Sequence, residues 1–434
     1  MSARRGLLAR IGLDRPELRA WALYDWANSA FFTVVVTAVF PIYFKQVAAA
    51  GMPDAEATAR FGWATSAALI LVALISPVLG AFGDYTGLRK RLLTVFLFLG
   101  AGATAAMYFI ESGDWVYASV IFGLGNLGIL LSITFYDSLL PHLAGDDEID
   151  RVSTGGFALG YVGGGLLLVA ALVLIMKGES FGLPGGTFPT RLSFLIVAIW
   201  WLAFSLPLIL RVPEPPPSRS PGEQGVSVVA VFRRLSETLR DLRRHPQAFL
   251  MLIAVLVYND GITTIYRMAT IFGDEIGIPR NDLITAVVLV QFVGFPFAFL
   301  FGALAGRIGT KPAILCGLTV YLGISVFGYF VQTTTQFYML AIAVAMVQGG
   351  TQALSRSLFA SLIPTSRSSQ FFGFFAVAEK FSAVLGPLVF SWVTLWTGSS
   401  RYAVLSVIAF FLVGGLLLSR VRVEEGQQQA LEAR

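Results

Sequence analysis

The sequence predicts an all-α integral membrane protein of twelve helices, arranged as two pseudo-symmetric six-helix halves. Three observations lead there. The 434 residues are 56% hydrophobic and only 13% charged, with a mean hydropathy of +0.73, whereas a soluble domain carries about 25% charged residues. Apolar runs recur at the length a helix needs to cross a hydrocarbon core of roughly 30 Å, well beyond the length of a barrel strand. Sequence features of the first half also return in the second, at the same place within the half.

The apolar segments run about 20–44, 61–82, 92–110, 115–140, 153–176, 192–211, 248–272, 283–306, 312–331, 337–362, 371–396 and 402–419. The first, Trp21–Phe44, holds Asp25 and Asn28 one turn apart. A carboxylate at membrane depth costs about 3 kcal/mol on insertion scales and needs a polar interior to face. The second segment leads into Gly80-Ala-Phe-Gly-Asp84-Tyr-Thr-Gly87-Leu-Arg89-Lys90. The fourth carries Asn126 and Asp137 on one face and ends Ser132–Pro141; an acidic turn follows with Asp146, Asp147, Glu148 and Asp150. That turn reads as solvated. The fifth holds Gly156, Gly160 and Gly164, a small-residue face for close helix packing. Its expected use is either a sliding surface between the halves or static packing.

Between the sixth and seventh segments the domain boundary falls, separating 1–211 from 248–434. The linker 212–247 opens with a Pro/Ser/Gly run. In its second part Val228, Val231, Phe232, Leu235, Leu239 and Leu242 form an apolar stripe at helical spacing, with Arg233, Arg234, Arg240, Arg243 and Arg244 mostly off it. This reads as an amphipathic helix on a membrane surface.

The seventh segment sets Asp260, Thr263, Thr264 and Arg267 on one face, and the tenth does the same with Gln348, Gln352 and Arg356. The eleventh holds Glu379 and Lys380. Arginine stays protonated, so Arg267 and Arg356 each need a carboxylate or an anionic solute, and Asp25, Asp137 and Asp260 are the acids available. Two readings stand side by side. In one, an arginine engages a solute carboxylate or a proton-carrying acid; in the other, the charges are fixed pairs that set helix register.

The repeats identify the architecture. Gly302-Ala-Leu-Ala-Gly306-Arg307-Ile-Gly309-Thr-Lys311 mirrors the segment beginning at Gly80, and Ser355–Pro364 mirrors Ser132–Pro141. Six plus six helices in parallel repeats resemble the major facilitator superfamily. Gly80, Asp84, Gly87, Arg89 and Lys90, with Gly302, Arg307, Gly309 and Lys311, match its motif between the second and third helices of each half. The resemblance implies that Asp84 latches the cytoplasmic side by meeting a helix N-terminus and nearby arginines. Gly306 stands where the second acid belongs, so a second latch of that kind is not expected. YDWANSAF at Tyr24–Phe31, FALGYVGGG at Phe157–Gly165 and YNDGITTI at Tyr258–Ile265 resemble the vacuole-effluxer-like branch. So do Gln348–Pro364 and Phe371–Pro387. That likeness implies a cavity lined by helices 1, 4, 7 and 10, and amino acids as the substrate class.

Lys and Arg fix the expected orientation. Only Lys45, Arg60, Lys177, Arg191, Arg280 and Arg401 fall on the side opposite the termini, so both termini are expected in the cytoplasm, across an inner (plasma) membrane if the source is bacterial. Cys316 is the sole cysteine, which excludes an intrachain disulfide. No zinc spacing, phosphate loop or nucleophile elbow appears; the expectation is a monomeric protein that is no enzyme and uses no cofactor, metal or nucleic acid. Its partners are a small-molecule solute, protons and membrane lipids. The expected function is alternating-access export of a small polar or zwitterionic metabolite with proton coupling. The alternatives are a lipid or amphiphile translocator and a non-transporting sensor or scaffold with the same fold.

Overall fold

The computed structural model describes residues 11–145, 147–217, 245–381, 385–397 and 400–432, and every regular element among them is helical. The linker's amphipathic stretch lies outside the described residues. The first half comprises α1 (Pro16–Ala48), α2 (Asp54–Thr86), α3 (Arg89–Ala106), α4 (Trp115–Leu143), α5 (Ile149–Lys177) and α6 (Phe188–Arg211). The second comprises α7 (Pro246–Glu275), α8 (Arg280–Ile308), α9 (Thr310–Phe330), α10 (Thr334–Ser361), α11 (Ser368–Phe381), α12 (Leu385–Thr397), α13 (Ser400–Ser406) and α14 (Ile408–Arg420). A short α15 (Val423–Glu432) follows. Among the described residues eleven helical stretches are long and apolar enough to cross a membrane, six in the first half and five in the second. Only helices suit such a chain, because lipid offers no partner for a free backbone N–H or C=O.

Sequence explains how these helices begin and bend. Thr333 and Gln336 form a reciprocal capping box at the start of α10. Gly87 ends α2 at φ +68°, a left-handed position that glycine takes without a Cβ penalty. In α1 the turns widen to π-helical geometry over Phe31–Val39 and Phe44–Ala48. There the Thr33 and Thr37 hydroxyls donate to carbonyls one turn back, and Pro41 has no N–H to give the ladder.

The two halves repeat in the way their helix ends are held. At the end of the bundle where α1 begins (the near end), Lys90 Nζ donates to the carbonyls of Ile209 and Val212 at 3.2 and 2.8 Å, closing the C-terminus of α6. Lys311 Nζ does the same for α14 through Ser419 and Val421 at 2.7 and 2.9 Å. Cations there complement the helix dipole. At the far end Arg191 donates to the Tyr108 carbonyl and Arg401 to that of Tyr329.

The small-residue face of α5 packs within its own half. A Cβ on Gly160 would lie 2.6 Å from Ser29 Oγ, and one on Gly163 would lie 2.5 Å from the Trp26 carbonyl oxygen of α1. Gly156 and Gly164 likewise meet α1 side chains. The sliding surface expected between the halves is therefore mainly a tight α1–α5 seam. Between the halves α5 instead offers Gly165 against Gln291 and Phe292, and seats Tyr161 on Gly294 and Gly349. Gly163→Ala forces backbone apart at that seam. It should cost about 1–3 kcal/mol, read as a lower thermal unfolding temperature in detergent; an unchanged value would show that α1 and α5 do not need this approach.

Candidate functional site

Arg356 of α10 is the centre of the site. Its side chain is buried, and its guanidinium reaches across to the other half. Nη1 donates to Asp137 Oδ1 of α4 at 3.1 Å, while Nη2 and Nη1 reach Asp25 Oδ2 of α1 at 3.3 and 3.4 Å. Nε donates to Ser153 Oγ and Nη2 to the Ser153 carbonyl of α5, both at 3.0 Å. Phe157 and Trp21 lie 4.6 and 4.8 Å from the guanidinium carbon, and such aromatic faces attract a desolvated cation. Tyr136 donates to Asp25 at 2.8 Å and stacks on Trp21 with ring centroids 4.4 Å apart. One cation thus meets two carboxylates, and the cluster changes its net charge when either binds a proton.

Two further groups of contacts close the near end. Asp84 accepts from Arg89 Nε at 2.6 Å and from the backbone N–H groups of Ser369 and Gln370 at 3.1 and 2.8 Å, where α11 begins. Arg89 also donates to Ser369 Oγ and to the carbonyls of Pro216 and Ser366. Gly80 allows this approach, since a Cβ there would run into the Ser369 carbonyl. Ser76 Oγ donates to the Gly373 carbonyl one turn farther in. In the second half Gly302 abuts Thr154, Gly309 takes φ +92°, Arg307 is exposed, and a Cβ on Gly306 would meet nothing within 4 Å.

The other predicted residues separate into three groups. Asn28 and Asn126 turn back on their own helices, donating to the carbonyls of Tyr24 and Phe122 one turn earlier; they do not join the cluster. Asp260 is buried and accepts the Gly386 N–H at 2.8 Å near the start of α12. Arg267 lies beyond ion-pair distance of this carboxylate but near enough for the two charges to act on each other. Arg267 is exposed and makes no hydrogen bond or ion pair among the described residues, beside Tyr266, whose hydroxyl meets Thr37 of α1 at 2.8 Å. Gln348 Oε1 is buried without a hydrogen-bond partner, and Gln352 is half-buried. They lie two turns and one turn from Arg356, respectively, toward the far end. Glu379 of α11 is close enough for its charge to act on Asp137 and Tyr258.

Sequence reasoning missed Trp21, Tyr136, Ser153 and Phe157. The aromatic residues carry no sequence signal that separates a cation platform from lipid-facing bulk. Ser153 stood three residues before the first glycine of the α5 face, the one hint that this turn is approached closely.

Comparison with known proteins places the chain. A family profile described as "Vacuole effluxer Atg22 like" matches residues 56–431. The "Uncharacterized MFS-type transporter YxiO" of Bacillus subtilis (strain 168) is 35% identical over 407 residues, covering 93% of this chain and 94% of its own. Autophagy-related protein 22 of Yarrowia lipolytica (strain CLIB 122 / E 150) is 27% identical over 311 residues, 64% of this chain; the match spans 51% of that relative's length. Among solved structures, the proton:xylose symporter XylE bound to 6-bromo-6-deoxy-D-glucose superposes with a TM-score of 0.72 over 96% of this chain and 98% of its own, at 16% identity. That last likeness shows the fold.

Proposed function

The chain belongs to the vacuole effluxer Atg22-like family and is a multi-pass membrane transporter of the major facilitator superfamily, and from that premise we propose that it is a proton-coupled secondary exporter working by alternating access. Its substrate class is a small polar or zwitterionic metabolite, with amino acids the first candidates. The observation that carries this reading is the Arg356–Asp25–Asp137 cluster, in which one half supplies the cation and the other both acids.

The mechanism follows from charge. With both acids ionised the cluster is net negative; with one protonated it is neutral. Separating the halves at the near end breaks the contacts of Arg356, so a bound proton changes the relative cost of the two states. The bias of Lys and Arg supports a cytoplasmic near end. Arg267, Gln348 and Gln352 then lie on the side of the cluster away from the cytoplasm and offer hydrogen bonds to a solute. Arg267 suits a carboxylate, which it can take with two parallel donors.

The test is flux in proteoliposomes with a pool of amino acids and small peptides, with and without a pH gradient. Wild type should accumulate solute along the gradient and Asp25→Asn should lose that response. Arg267→Ala should raise KM by about tenfold or more, the value of a lost charge-assisted contact. Flux indifferent to the gradient would remove the proton role. Lipid redistribution with no flux of any pool member would overturn the solute class.

A further inference from the structure

The acidic turn after α4 is not uniformly solvated. Asp147 is exposed, and Glu148 pairs with Arg15 of its own half. Asp150, the second residue of α5, points the other way. Its Oδ2 accepts from Thr310 Oγ at 2.5 Å and its Oδ1 accepts from the Ser357 hydroxyl. Thr310 starts α9 within the second copy of the loop motif, and Ser357 is fully buried on α10 beside Arg356. One carboxylate of the first half therefore ties two helices of the second.

Its position has a counterpart. In the first copy of the motif the acid sits in the loop, at Asp84, and takes N–H groups from the start of α11 across the interface. In the second copy Gly306 has no side chain to reach across. We propose that Asp150 supplies the missing second latch of the near end from the opposite side of the interface, holding Thr310 and Ser357 and so favouring the near-closed state.

Three further contacts support this. Thr154, one turn past Asp150, lies against Gly302, as Ser369 lies against Gly80 in the first copy. Ser153 donates to the Ala353 carbonyl at 2.7 Å and accepts from Arg356. Phe157 underlies the guanidinium. Asp150, Ser153 and Phe157 share one face of α5, so the latch is the outer end of a seam that runs inward to the Arg356 cluster. An ionised acceptor makes stronger hydrogen bonds than a neutral one. Without it the Ser357 hydroxyl has the Leu354 carbonyl of its own helix, at 3.1 Å, to fall back on.

The latch is tested on the full chain with no solute present, so that its failure is separate from any failure of the transport reading. Spin labels go on Arg91→Cys and Arg307→Cys, exposed near-end positions in opposite halves, with Cys316→Ser removing the native thiol. Distance distributions are read by pulsed electron resonance. Asp150→Ala should raise the ratio of long to short distances about tenfold, and Asp150→Asn, which keeps one acceptor oxygen, should give an intermediate shift. Thr310→Val combined with Ser357→Ala leaves the carboxylate but removes both donors. It should shift the ratio in the same direction, which keeps the proposal testable if Asp150→Ala does not fold. Distributions identical to the unaltered protein in both cases would overturn the assignment and return Asp150 to an ordinary turn residue.

Discussion

Arg356→Ala is expected to abolish gradient-driven flux and to destabilise the near-closed state more than any other single change in the cluster. The guanidinium satisfies two carboxylates, one hydroxyl and one carbonyl, all beneath protein. Removing it leaves Asp137 and Asp25 close together with no cation between them. Breaking a buried pair from one side costs about 3–5 kcal/mol, because the remaining charge has lost its compensation. Tyr136 still donates to Asp25, but among the described residues Asp137 has no donor other than Arg356. Arg356→Lys should not rescue flux: a single ammonium on a flexible stem cannot reproduce a planar fork directed at two helices. Arg356→Gln combined with Asp137→Asn removes charge from both sides and should recover much of the thermal stability while leaving flux insensitive to a pH gradient. That combination separates the packing role from the coupling role. Full gradient-driven flux in Arg356→Ala would sink the proposed mechanism outright.

The fold was legible because bilayer thickness imposes a length on every element, and apolar runs report that length directly. The helix ends were less so. The second apolar segment stops at 61 and 82, yet α2 runs Asp54–Thr86, because helices continue past the hydrocarbon into polar surroundings where hydropathy gives no signal. At the site, residue type was readable and register was not. Arg356 had to have an acid, but which acids depends on how far α1 and α4 slide against α10. Asn28 and Asn126 look like cavity residues in the sequence, and only the structure shows their amides spent on the preceding turn. Asp150 was hidden by its company: in a run of acids with Asp147 and Glu148 nothing local marks Asp150 as an acid that turns inward.

Asp84→Ala is expected to open the near end more than Arg89→Ala does, although the two residues form one ion pair. The carboxylate is buried, with 2% of its side chain exposed, and its partner's side chain is fully enclosed. Without Asp84, two N–H groups at the start of α11 lose their acceptor and the Arg89 charge stays buried. Arg89 then has only Ser369 Oγ and two carbonyls, which hydrogen-bond it but do not neutralise it. The cost is again about 3–5 kcal/mol, and it falls on the contact that holds α11 to α2. Without Arg89, Asp84 keeps both N–H groups and the positive end of the α11 dipole, a site that tolerates an anion. Asp84→Asn retains an acceptor but no charge, so it should fall between the two. The readout is the rate at which an impermeant maleimide labels a cysteine placed at Ser138, a buried position that meets Ser369 at 2.9 Å, in the Cys316→Ser background. The expected order of rates is Asp84→Ala, then Asp84→Asn, then Arg89→Ala. If Arg89→Ala labels fastest, the guanidinium and its carbonyl contacts hold the near end shut. The carboxylate would then serve only to position the arginine, and the motif would act through its basic residue.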